Sequence, residues 1–247
     1  MNDLSGKIAL VTGSSRGIGR AAGLKLATLG VRVIFHGARQ SEKLDSAVRE
    51  AGSGASAWIA DFGNMDEVGK LADALKTQRR VPDILVLNAS VQSYTGLENF
   101  DGTEFLRMFR TNVESPFLLL HELLPEMRRK MAGRVSFVGS INGIRPASRL
   151  SVYGAAKAAL MNLAKTAALE NAPYGITVNT ILPGVIETDL NAAALSDPAF
   201  AETLRRQIPM HRFGTAEECA ELIAFLASDG AGYITGSEIS ISGGWQL

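Results

Sequence analysis

The 247-residue sequence predicts a single α/β domain, a parallel sheet wound with helices on both faces. Three observations carry this. Short apolar runs alternate with helical patterns from residue 7 onward. A glycine turn, Gly13-x-x-x-Gly17-x-Gly19, follows the first run and opens the first helix. No linker, internal repeat or low-complexity segment divides the chain. With 46% hydrophobic residues, a chain of this length buries one large core.

The elements follow in order. Residues 7–12 read as a first strand, residues 20–29 as a helix that stops at Gly30, and residues 31–36 as a second strand. A polar helix (about 41–51), a strand (55–60), a helix (about 64–79) and a strand (83–88) continue the alternation. Strands that alternate with helices pair in parallel, with right-handed crossovers. From Phe100 to Met131 one long helical pattern carries Thr111-Asn112-Val113 and Pro116, which disturbs local helix hydrogen bonding. Residues 134–140 form a fifth strand ending in Ser140. The alanine-rich run from Ser151 is a helix, residues 175–182 a sixth strand, and the tail 233–245 a seventh. Residues 189–212 interrupt the rhythm after a strand's carboxyl end, where ligands bind in open sheets, and a lid there would exclude water.

Composition narrows the function. Twenty-five basic residues balance 25 acidic ones, which gives no support to nucleic-acid binding or to a polybasic membrane contact. The single cysteine, Cys219, has no intrachain partner and fits packing in a reducing compartment. The opening residues Met1 to Ser5 hold no signal-peptide core, and no apolar run approaches the roughly 20 residues that span a bilayer. A cytoplasmic enzyme without a metal site is the expectation.

Two constellations carry chemistry. In the glycine turn, Gly13, Gly17 and Gly19, with Ser15, Arg16 and Ile18 between them, let the backbone approach a pyrophosphate at a helix amino terminus. The second strand ends in His36-Gly37-Ala38-Arg39, with no acid before Glu42. An acid there would bind a ribose 2′-hydroxyl, whereas Arg39 and Arg16 suit a 2′-phosphate, so NADP(H) is favoured over NAD(H). The second constellation is Tyr153-x-x-x-Lys157. Four residues apart on a helix, phenol and ammonium share a face, and the cation is expected to draw the phenol's pKa toward neutrality. Ser140 can donate to the same substrate oxygen.

Taken together, the Gly13–Gly19 turn, Ser140 and Tyr153-x-x-x-Lys157 resemble the short-chain dehydrogenases/reductases, most closely their ketoacyl-reductase-like branch, from about residue 5 to the end. The resemblance implies a Rossmann fold, with a cofactor half to about residue 90 and a catalytic half after it. It implies a catalytic tetrad of Asn112, Ser140, Tyr153 and Lys157, with Asn112 holding a relay water and Lys157 the nicotinamide ribose. Asp61, beside Phe62, matches the acid that accepts from the adenine amino group, and Asn88-Ala89 falls in the signature that lines the cofactor. In the turn Pro183-Gly184-Val185-Ile186, backbone at the Val/Ile position binds the carboxamide, and Thr188 lies near the phosphates. Two residues depart from the family pattern. Leu87 replaces an asparagine that ties strands together, and Ser90 replaces a glycine beside the ribose. A homotetramer is also implied.

The expected activity is hydride transfer between NADP(H) and a ketone/secondary-alcohol pair, with Tyr153 as general acid/base. An NAD-linked sugar or polyol dehydrogenase, a 3-oxoacyl thioester reductase and a non-catalytic dinucleotide-binding regulator remain as alternatives. Tyr174 stands where carrier-protein-dependent relatives often have a basic residue, although Arg128, Arg129 and Lys130 leave positive charge nearby.

Overall fold

The computed structural model describes residues 4–247. Residues 1–3 of the opening stretch, where no targeting core is expected, lie outside the described part. Among the described residues no helix is long and apolar enough to cross a membrane.

Seven strands form: β1 (Ile8–Val11), β2 (Arg32–Gly37), β3 (Ser56–Ile59), β4 (Ile84–Leu87), β5 (Gly133–Val138), β6 (Ile176–Pro183) and β7 (Glu238–Ile241). All pair in parallel in the order β3-β2-β1-β4-β5-β6-β7. The helices are α1 (Gly17–Thr28), α2 (Glu42–Ala51), α3 (Met65–Thr77), α4 (Gly102–Phe109), α5 (Ser115–Lys130), α6 (Ser151–Asn171), α7 (Ala192–Leu195), α8 (Pro198–Gln207) and α9 (Ala216–Ala227).

Alternation along β1 shows why both faces must be covered. Ile8 and Leu10 pack with Val68, Leu71, Leu123 and Leu160 of α3, α5 and α6, whereas Ala9 and Val11 pack with Ala22, Leu26 and Ile223 of α1 and α9. The strand order reverses between β1 and β4, so the loops after their carboxyl ends diverge and leave a crevice. The glycine turn and Asn88 both lie there.

The segment 100–131 departs from expectation. It is two helices, α4 and α5, joined by a π-helical turn over Arg110–Glu114. Pro116 supplies no N–H to the preceding turn, and Ser115 Oγ donates to Thr111 O at 2.9 Å, so the backbone ladder widens at this point. The first helix starts at Gly17, three residues earlier than the pattern suggested.

Candidate active site

The glycine turn is shaped by what its glycines leave out. Gly13 has φ +62°, and a Cβ on it would lie 2.7 Å from Ala89 Cα. A Cβ on Gly19 would lie 2.4 Å from Asn88 Nδ2 and 2.6 Å from Gly13 O. Gly17, at φ +55°, faces Thr188. The Arg16 cap of α1 makes no side-chain hydrogen bond, so the first-turn N–H groups stay open to an anion.

His36 fixes this turn and was missed as a functional residue by sequence reasoning. Its Nδ1 accepts from Gly13 N at 2.9 Å, its Nε2 lies 2.9 Å from Ala60 O, and its ring stacks on Phe62 at 3.9 Å. Burial pushes its pKa down to about 4, so it is a neutral strut at neutral pH. A histidine inside an apolar strand was the available signal. Phe62 therefore spends its side chain in the core, and Asp61 Oδ1 caps its own turn by accepting from Gly63 N at 2.8 Å.

On the β4 side, Asn88 Nδ2 donates to Thr12 O and Gly13 O at 2.9 and 3.0 Å, while Thr12 Oγ1 accepts from Asn88 N and Ala89 N. The inter-strand tie expected to be lost at Leu87 is thus made by Asn88 and Thr12. Leu87 itself is buried core.

Ser140, Tyr153 and Lys157 come together in a cavity of about 430 Å³ that Asn88 and Ile18 also line. Ser140 caps the turn Ile141–Gly143, with Oγ accepting from Asn142 N at 3.1 Å, and its own proton faces the Tyr153 hydroxyl. Tyr153 and Lys157 sit one turn apart on α6, with Lys157 Nζ 5.6 Å from the Tyr153 ring centroid and donating to Val138 O at 2.8 Å. Lys157 is 2% exposed.

The electrostatics correct the expected pairing. Burial pushes the Tyr153 phenol up to about 12, against the opposing pull of the Ser140 and Ser90 hydroxyls, and the cation beside it does not reverse this. Burial also pushes Lys157 down to about 7. Both groups are held toward their neutral forms because desolvation outweighs every partner they have. A stability trend follows. The unfolded chain keeps the Lys157 proton between about pH 7 and 10 while the fold releases it, so stability rises with pH, by up to ~1.4 kcal/mol per pH unit. Above about pH 10 the unfolded phenol ionises while Tyr153 stays protonated, and the sign reverses. Denaturant midpoints across this range should move in favour of wild type relative to Lys157→Met. A constant gap would contradict the burial.

Asn112 does not line the cavity. Its Oδ1 accepts from Val91 N at 2.9 Å and its Nδ2 donates to Val91 O at 2.8 Å, so its side chain straps the loop after β4 to the π turn. Each end of the amide is engaged once, which leaves the second Nδ2–H and the second Oδ1 lone pair for a further partner. Arg16 is not free. It pairs with Asp189 at 3.7 Å, and Lys43 binds the same carboxylate. Arg39 is exposed, on the loop after β2.

After β6, Gly184 abuts Ser242 and Ile186 is buried, its backbone bridging Gly214. Pro183, Gly184, Val185, Ile186 and Thr188 all border the cavity, and Leu190, Phe200 and Leu204 of the insertion cover it. Ser90, Gln92 and Arg145, from the stretches 90–99 and 142–150 expected to decide the substrate, also line it, as does Trp245, which was not singled out from sequence. The positive φ of Gly243 and Gly244, which turns the chain back at Trp245, was the readable hint for the last of these.

The fold and its crevice define a dinucleotide-binding α/β oxidoreductase. A family model described as enoyl-(acyl carrier protein) reductase matches residues 13–246. The 3-oxoacyl-[acyl-carrier-protein] reductase FabG of Escherichia coli is 38% identical over 246 residues, 99% of each chain. Among solved structures, the Pseudomonas aeruginosa RhlG/NADP active-site complex superposes with a TM-score of 0.92 at 34% identity, covering 99% of this chain and 98% of that one. A 3-oxoacyl (acyl-carrier-protein) reductase from Agrobacterium tumefaciens with NADP bound gives 0.92 at 34%, covering 98% and 95%. The chain belongs to the short-chain dehydrogenase/reductase family.

Proposed function

We propose that the protein is an NADP(H)-dependent reductase of a ketone, or in reverse a dehydrogenase of the secondary alcohol, with Ser140, Tyr153 and Lys157 as catalytic residues. The observation that carries this is the convergence of those three buried groups in one cavity beside the glycine turn. The turn fits the nucleotide: it has room where Cβ atoms are absent, open N–H groups at α1, Arg16 and Lys43 sharing Asp189, and Arg39 exposed on the loop after β2. NADP-bound relatives support the same cofactor.

Bound NADPH supplies the hydride. Ser140 donates a hydrogen bond to the carbonyl oxygen and keeps its proton, while Tyr153, kept protonated by burial, transfers its own proton as negative charge grows there. Lys157, anchored on Val138 O, keeps its other N–H bonds for the ribose hydroxyls and stabilises the phenolate left behind. Asn112 acts through Val91, holding the wall rather than touching the substrate. Asp61 with Phe62, Asn88 with Ala89, and the segment from Pro183 to Thr188 complete the cofactor groove in this reading, as do Ser15 and Ile18 in the glycine turn.

A 3-oxoacyl substrate is the second reading, supported by the names of the relatives. Delivery by a carrier protein finds less support. Arg128, Arg129 and Lys130 are each tied to an acid, Glu170, Glu126 and Asp83, and Arg128 lies 5.1 Å from the Tyr174 ring centroid. A homotetramer is supported by exposed apolar side chains, Phe105, Phe117 and Leu169, and a reducing, cytoplasmic setting by the buried free Cys219.

The test is a fluorescence titration of NADPH and NADH on wild type and Arg39→Ala, followed by a panel of ketones. Wild type should prefer NADPH, and the substitution should weaken NADPH by about tenfold with NADH unchanged, the scale of one charged hydrogen bond. Equal binding of the two by wild type would overturn the NADP(H) assignment.

A further inference from the structure

The charge in the cavity is one-sided. Among its lining residues Arg145 and Lys157 are the basic ones, Lys157 held toward its neutral form by burial, and none is an aspartate or glutamate. Lys157 is committed to Val138 O and the Tyr153 side chain. Arg145 is not. Its guanidinium lies 4.9 Å from the Trp245 ring centroid, and among the described residues it has no carboxylate, carbonyl or hydroxyl partner.

An indole ring holds a guanidinium by its face, while the edge keeps N–H groups in a fork that matches a carboxylate. The Trp245 Nε1–H is itself buried without an acceptor, a second donor that lacks a partner. Both residues are fixed in place. Arg145 N donates to Ile141 O at 2.7 Å, and the turn before it seats against α6 at Gly143, where a Cβ would lie 2.6 Å from Met161 Sδ. Trp245 packs on Ile141, Met161 and Leu182. The recognition element is therefore preorganised.

We propose that Arg145 binds the carboxylate of a small keto acid, or of the matching hydroxy acid, whose carbonyl or carbinol group meets Ser140 and Tyr153. This rests on the reductase reading above. In the reducing direction the ketone takes up hydride from the nucleotide and a proton from Tyr153, and the carboxylate is unchanged. A cavity of about 430 Å³ shared with the nicotinamide end of the cofactor suits a compact acid better than a long acyl chain.

The experiment compares acetoacetate, 4-oxopentanoate and 5-oxohexanoate with their methyl esters in NADPH-consumption kinetics, using wild type, Arg145→Ala and Arg145→Lys. For at least one chain length, wild type should prefer the acid over its ester in kcat/KM by about 10- to 100-fold. Arg145→Ala should erase that ratio through KM, and Arg145→Lys should restore part of it. A binding readout runs beside it: the protein has two tryptophans, so Trp58→Phe leaves Trp245 as the only emitter. The preferred acid, but not its ester, should change that emission saturably, and Arg145→Ala should abolish the response. Esters and neutral ketones turned over as well as the acids, with no Trp245 response, would overturn the carboxylate site and leave the reductase reading standing. No turnover of any carbonyl compound would overturn the reductase reading, and a Trp245 response to acids under that outcome would still support the site.

Discussion

Tyr153→Phe is expected to lower kcat by about 10³-fold, within the range a positioned general acid contributes, and to leave NADPH binding within about threefold. The ring is part of a small apolar cluster with Met108, Leu150 and Val152, and phenylalanine fills the same space. The loss is one oxygen, together with the only proton at the cavity that burial holds at about 12 for release to an alkoxide. Ser140 remains and can still polarise the carbonyl, which accounts for some residual rate. Single-turnover kinetics with saturating NADPH, beside an NADPH titration by fluorescence, separate the two quantities. Turnover within tenfold of wild type would remove Tyr153 from the chemistry, and a parallel loss of NADPH binding would make it a structural residue.

Gly19→Ala should strike the fold and the cofactor groove together. The new Cβ would overlap Asn88 Nδ2 at 2.4 Å and Gly13 O at 2.6 Å, both backed by the β1 and β4 loops. Displacing Asn88 breaks its bonds to Thr12 O and Gly13 O. Two hydrogen bonds at about 1 kcal/mol each, plus overpacking of about 1 kcal/mol or more, amount to roughly 3 kcal/mol. For a chain of this size that is a fall in Tm of about 6–12 °C. NADPH affinity should fall by at least about tenfold, because the glycine turn must shift to admit the methyl group. Gly69→Ala is the control: nothing lies within 4 Å of its Cβ, it sits inside α3, and it should hold or raise Tm. Matching Tm values for the two variants would show that the turn has slack that the geometry denies.

The sheet was legible because each strand is a short apolar run between glycine or polar breaks, and the period-2 burial of β1 on two cores requires that composition. Ser140, Tyr153 and Lys157 were legible for a related reason: one ends a strand and the other two share a helix face, so local spacing already fixes much of their geometry. What was not legible depends on depth and on distant partners. The sequence pairs Tyr153 with Lys157 as charge and phenol, but the sign of both shifts is set by burial, which no spacing encodes. Arg16 looked free because its partner, Asp189, is far along the chain. The strap from Asn112 to Val91 was hidden because it crosses from a helix to a loop. Arg145 and Trp245 meet from a turn after β5 and from the tail, and neither stretch alone suggests the other.

Asp189 joins parts of the molecule that the strand order keeps separate. Arg16 in the glycine turn, Lys43 on α2 and the start of the insertion share its one carboxylate, whose pKa is held below the ordinary range chiefly by Lys43. Each contact is largely solvent-exposed and worth under about 1 kcal/mol. The insertion is also held by Asn191 Nδ2, which donates to Ile186 O at 2.8 Å, and by buried Ala201 and Ile208, so the shared carboxylate is the weakest of its attachments. Both ion pairs end on the same carboxylate, so an anion that drew Arg16 away would leave Lys43 as the Asp189 partner. The glycine turn, α2 and the insertion thereby meet on a single acidic side chain.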